Sequence, residues 1–199
     1  MQNPRRLLIH RYIFMLGLLL FVVGLNWGSS LISIAESLLF LNWLAEGNFK
    51  WKWQRMKESK IFLICISFYL LHILACLWSN NLGYAIKDLW VKAPLLLFPL
   101  LFVSTPPPQL KEWKLVLSIY VLATIGTTLW SMVFYFGWRP LEGADPRKIS
   151  RFDSHIRLSM KMLMAIFISA WFFWQKTTLL KKGLWLASIL WLLFFLFIL

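Results

Sequence analysis

Charge is scarce in this chain: charged residues fill 15% of its 199 positions, hydrophobic ones fill 60%, and the mean hydropathy is +0.68. A water-soluble globule needs far more polar surface, so that class is excluded. Short alternating apolar segments are also missing; the apolar runs are long, continuous and recur to the last residue, which excludes a β-barrel. Only two cysteines occur, Cys65 and Cys76, both in one apolar run. They read as small core or lipid-facing residues with no disulfide, and they say nothing about redox compartment. Metal-ligand spacing, a phosphate-binding glycine loop and a serine elbow are all lacking, so metal, nucleotide and hydrolase chemistry have no sequence support.

What is present is an all-α, polytopic transmembrane bundle of about seven spans, a single membrane domain over residues 1–199. Residues 12–25 and 31–44 form a tight hairpin around a Gly/Asn/Ser turn, each run shorter than the roughly 20 residues a crossing usually takes. A cleaved signal peptide fits the early charges, but there is no clean small-x-small site and a second span follows at once. Further spans are expected at 61–78, from about 83 to 103 where Pro106-Pro107-Pro108 stops any helix, at 115–136, up to about Trp174, and at 184–199. The net charge of +13 suggests nucleic acid at first sight, yet the basic residues sit at the ends of apolar runs. Nucleic acid is therefore not an expected partner. The Lys/Trp-rich stretch from Asn48 to Lys60 is likewise read as an interfacial loop, its rings in the headgroup belt and its charges towards anionic membrane lipids.

Arg5, Arg6 and Arg11, the 50–60 cluster, Lys111 with Lys114, and Lys176 with Lys181 and Lys182 fall on one side of this topology, which places the N-terminus in the cytoplasm. Arg139, Arg147, Lys148 and Arg151 then lie on the outer face, where orientation does not explain them. They lead into a helix top bearing His155, Arg157 and Lys161. Arg157 and Lys161 are four apart and share a face, as do Arg151 and His155 if the helix begins that early; Asp153 is placed to pair with Arg157. Two like charges on one face are unfavourable unless an anion sits against them. A diphosphate suits, with arginine offering a planar fork and lysine a point charge. The alternative is a helix top solvated by lipid phosphates.

A second entrance holds Lys87, Asp88 and Lys92, with Asp88 and Lys92 spaced to neutralise each other and Pro94 and Pro99 bending the helix behind them. Both entrances are assigned to the outer leaflet, which favours a shared cavity. Glu36 stands alone in the second span and is expected to be protonated or paired, as an internal partner for Lys92 or Arg157 in preference to a catalytic acid or base. His10 and His72 look incidental.

The segment Ser150-Arg151-Phe152-Asp153-Ser154-His155-Ile156-Arg157-Leu158-Ser159, with Lys87-Asp88 and Lys92-Ala93-Pro94-Leu95-Leu96-Leu97, resembles the O-antigen ligase and polymerase family of bacterial inner-membrane proteins. The resemblance implies a cytoplasmic-membrane location and transfer of an undecaprenyl-diphosphate-linked saccharide to a lipid or glycan acceptor, outside that membrane, for lipopolysaccharide or surface polysaccharide assembly. It implies no metal or nucleotide cofactor. Arg157 is then the first candidate for a diphosphate-facing group, with Lys92 and His155 next, and no residue is assigned as catalytic. The family's essential histidine lies in a late outer loop, and this chain reaches Leu199 before any such loop. The chain is therefore expected to be the front half of such a bundle, truncated, split, or completed by a C-terminal partner chain. The other reading is a transporter or scaffold for an anionic lipid or solute. A transporter's inverted repeat would separate the two, and no second copy of either charged motif is seen.

Overall fold

Helix is the only regular structure among the described residues of the computed structural model, which are 4–137, 154–175 and 178–199. That outcome follows from composition. In a lipid setting each backbone amide must find its partner inside its own segment, and a helix achieves this without an exposed edge. The elements are α1 (Pro4–Trp27), α2 (Ser29–Glu46), α3 (Phe49–Glu58), α4 (Lys60–Cys76), α5 (Leu82–Lys92), α6 (Pro94–Ser104), α7 (Leu110–Gly137), α8 (His155–Trp174) and α9 (Leu179–Ile198).

Four of them, over Arg5–Trp27, Leu110–Val133, His155–Trp174 and Leu179–Ile198, are long and apolar enough to cross a membrane. A fifth crossing is reached if α3 and α4, bent by 88° at their junction, count as one. The 20 residues of α8 or α9 correspond to about 30 Å of helix, the thickness of a hydrocarbon core. Large apolar side chains point outward from these helices, Trp174 at 80% exposure and Phe197 at 92% among them. Such a surface suits contact with lipid or with another apolar surface.

Three local expectations are revised. The expected interfacial loop at 48–60 is helical through α3, because Gly47 and Asn48, with φ of 71° and 58°, turn the chain sharply and release it into a new helix. The run expected as a fourth span is two helices of 11 residues each, divided at Ala93. Pro94 has no amide to offer α5 and is tolerated as the first residue of α6. The first helix is longer than the expected 12–25: the N-terminal arginines stand on α1 itself, and Asn26 and Trp27 extend its other end.

The chain divides into two units. One comprises Met1–Phe14 with Ser37–Pro108, and the other Met15–Glu36 with Gln109–Leu199. The first packs α3, α4 and α5 around α6, with Phe14, Leu39, Trp43, Phe62 and Leu101 buried. Trp43 ties the end of α2 to α6 by donating its indole N–H to Ser104 Oγ at 2.7 Å. Phe14 meets Phe102 edge-on at 6.1 Å.

The second unit packs α7, α8 and α9 on one another around Val121, Leu158, Met162, Leu192 and Phe195. Its buried polar groups are mostly on α7. The Thr124 hydroxyl sits 2.9 Å from the Tyr120 carbonyl and 3.2 Å from Asn26 Oδ1. The Trp191 indole donates to Thr128 Oγ1 at 2.9 Å. In an apolar medium such bonds fix which helix faces meet.

Candidate functional site

The α8 entrance begins with Ser154, whose backbone is extended and whose hydroxyl accepts from the Arg157 amide at 3.4 Å. That cap starts the helix at His155 and sets the direction of the side chains after it. Leu158, Met162 and Ala165 face the core. Arg157 is exposed, and His155 and Lys161 are half-buried. The Lys161 carbonyl accepts the Tyr120 hydroxyl at 3.1 Å, which holds the second turn of α8 against α7. Arg157 and Lys161 thus stand one turn apart at the start of a span. Arg151, the Asp153 partner expected for Arg157, and Arg139, Arg147 and Lys148 lie outside the described residues.

At the α5 entrance Asn81 caps the helix, accepting from the Tyr84 amide at 3.0 Å. The Tyr69 hydroxyl donates to the Leu89 carbonyl at 3.3 Å and fixes α5 on α4. Lys92 and Asp88 are brought together as their spacing requires, Nζ to Oδ2 at 2.6 Å. The pair is a third or more exposed, so it neutralises charge locally and contributes little stability. Lys87 beside it is exposed. This entrance belongs to the first unit and the α8 entrance to the second. Glu36, also in the second unit, has its Oε1 shielded from solvent with no hydrogen-bond partner among the described residues.

A further charged cluster was not foreseen. Lys52 is 1% exposed. Its ammonium forms an ion pair with Glu46 Oε2 at 2.7 Å and donates to the Trp43 carbonyl at 2.7 Å. It also sits 4.7 Å from the ring centre of Trp43 and 5.8 Å from that of Phe49. The contact with Glu46 is an ion pair by separation and not an aligned hydrogen bond.

Nearby, Arg6 donates to the Ala45 carbonyl at 2.7 Å. Two cations therefore meet carbonyls in the last turn of α2, where its dipole is negative. His10 is held structurally: its Nδ1 lies 2.8 Å from Asn42 Oδ1, and its carbonyl accepts from Asn42 Nδ2 at 3.0 Å. His10, Asn42 and Glu46 border a cavity of about 400 Å³ lined also by Leu7, Arg11, Phe14 and Thr105.

A sequence signal for Lys52 existed. Phe49, Lys52 and Met56 fall at i, i+3 and i+7, which sets a lysine inside the apolar stripe of α3. His10 and Asn42 had no such signal, since their meeting depends on how α1 lies along α2.

The chemistry on offer is electrostatic. Cationic groups stand at helix ends, and no group of three His, Cys, Asp or Glu side chains that could hold a metal occurs among the described residues. No protein-family model, curated protein or solved structure matches the chain.

Proposed function

We propose that the chain handles an anionic diphosphate lipid at the membrane surface, as an O-antigen ligase-like transferase of the bacterial inner membrane acting on an undecaprenyl-diphosphate-linked saccharide and a lipid or glycan acceptor. The observation that carries this reading is the α8 entrance. Arg157 and Lys161 share one face of a capped helix at the mouth of a span. An exposed guanidinium one turn from an ammonium is a receptor for two adjacent phosphates. In the α5 entrance the Lys92 charge is met by Asp88.

The proposed topology has seven spans and a cytoplasmic N-terminus. It adds α2, α4 and the α5–α6 pair to the four longest apolar helices. At 18 and 17 residues, α2 and α4 reach about 25 Å each and suit a crossing with borrowed flanks.

In such a reaction the diphosphate is the leaving group. Arg157 and Lys161 would stabilise the charge that develops on it as the bond to the sugar breaks and the acceptor oxygen bonds instead. The acceptor hydroxyl gives up its proton to a general base as it attacks.

The test is native mass spectrometry of the purified chain with an undecaprenyl-diphosphate oligosaccharide. Arg157→Ala is expected to weaken retention about tenfold, the loss of one charge-assisted contact. Equal retention by wild type and variant would remove the diphosphate site.

A further inference from the structure

We propose that the groove beneath α3 binds one anionic glycerophospholipid, with an acyl chain in the groove and the phosphate on Lys50. The proposal does not rest on the transferase reading. α3 meets the apolar helix α4 at 88°, so if α4 crosses the membrane, α3 lies in the plane of its surface. α3 carries Lys50, Lys52, Arg55 and Lys57 against Glu58 alone.

Its outer side is built for headgroups. The Arg55 guanidinium lies 5.1 Å from the Trp51 ring centre, and the Lys57 ammonium 5.2 Å from that of Trp53, a ring that also borders the groove. Its inner side roofs a groove of about 540 Å³ against α4 and α6, walled by Trp43, Phe49, Met56, Phe62 and Leu96. That size is ordinary for a ligand of modest bulk.

Two lysines border the groove. Lys52 is committed to Glu46 and the Trp43 carbonyl. Lys50 is exposed and makes no ion pair among the described residues, so it is the cation left to meet a phosphate. A bare anion would leave the apolar walls in water, and an uncharged apolar molecule would leave the lysine unused. A lipid with a net negative headgroup uses both.

The experiment is native mass spectrometry of the delipidated full chain in detergent, with phosphatidylglycerol or phosphatidylcholine of the same acyl chains. Wild type, Lys50→Gln and Leu96→Trp are compared. The wild type is expected to retain a single phosphatidylglycerol about fivefold better than phosphatidylcholine, the preference one interfacial lysine supplies. Lys50→Gln should erase that preference while weak retention of both lipids persists. Leu96→Trp, which fills the groove, should lose both.

Equal retention of the two lipids by the wild type would overturn the proposal. So would a preference unchanged in Lys50→Gln, whose exposed position leaves folding intact if Leu96→Trp does not fold. Displacement of the lipid by inorganic phosphate would replace it with a simple anion site.

Discussion

Lys52 is held by three kinds of partner at once: a carboxylate, a carbonyl and two aromatic faces. Removing one ionic partner strands the other in a poorly solvated place. Glu46→Ala is expected to destabilise the chain by about 3 kcal/mol, the scale seen when a buried pair is broken from one side. Replacing both ions, as in Lys52→Met with Glu46→Leu, should cost less than the sum of the single changes. Thermal unfolding in detergent of Glu46→Ala, Lys52→Met, Glu46→Leu and the double variant measures both effects, and strictly additive losses of the last three would show that the pair is not coupled. At this scale the sequence was only partly legible. The spacing of Asp88 and Lys92 announced their pairing because both lie on one helix. Lys52 and Glu46 lie on different helices, and only the Gly47–Asn48 turn swings one onto the other.

Among the elements, the α1–α2 hairpin depends on a close approach. A Cβ added at Gly24 would stand 2.8 Å from the Ile32 amide nitrogen and 3.0 Å from the Leu31 carbonyl carbon. These are backbone atoms and cannot turn aside. Gly24→Ala is therefore expected to lower stability by about 1–3 kcal/mol through forced separation of the helices. Gly183 of α9 has open space around its Cβ position, and Gly183→Ala should be neutral or stabilising by up to about 1 kcal/mol on helix propensity alone. Unfolding midpoints of the two variants, measured side by side, check the contrast; equal shifts would mean that the contact at Gly24 is not limiting. The hairpin itself was readable from its glycine and asparagine turn. Its tightness was readable too, and a single residue, Gly28, separates the two helices; the inward turn of Asn26 towards Thr124 was not, because the two lie far apart in the sequence.

For the chain as a whole, the proposed topology sets which loops face which side of a bilayer. With Cys65 and Cys76 changed to serine, single cysteines placed at Asn80 and at Lys57 report opposite sides. In intact bacterial cells an impermeant maleimide is expected to label Asn80→Cys, and to label Lys57→Cys only after permeabilisation. The reverse pattern would invert the proposed topology and move the α8 entrance to the cytoplasmic face. Hydropathy and run length are local properties, so the sequence by itself determined the helical class and the presence of helices long and apolar enough to cross a membrane. Asn26 and Thr124, 98 positions apart, the pairing of Lys52 with Glu46, and the groove beneath α3 were decided by the tertiary structure alone. Each needs side chains from separate helices to arrive at one place. Within a nearly uniform apolar sequence, only packing and the rare buried polar bond distinguish one helix face from another.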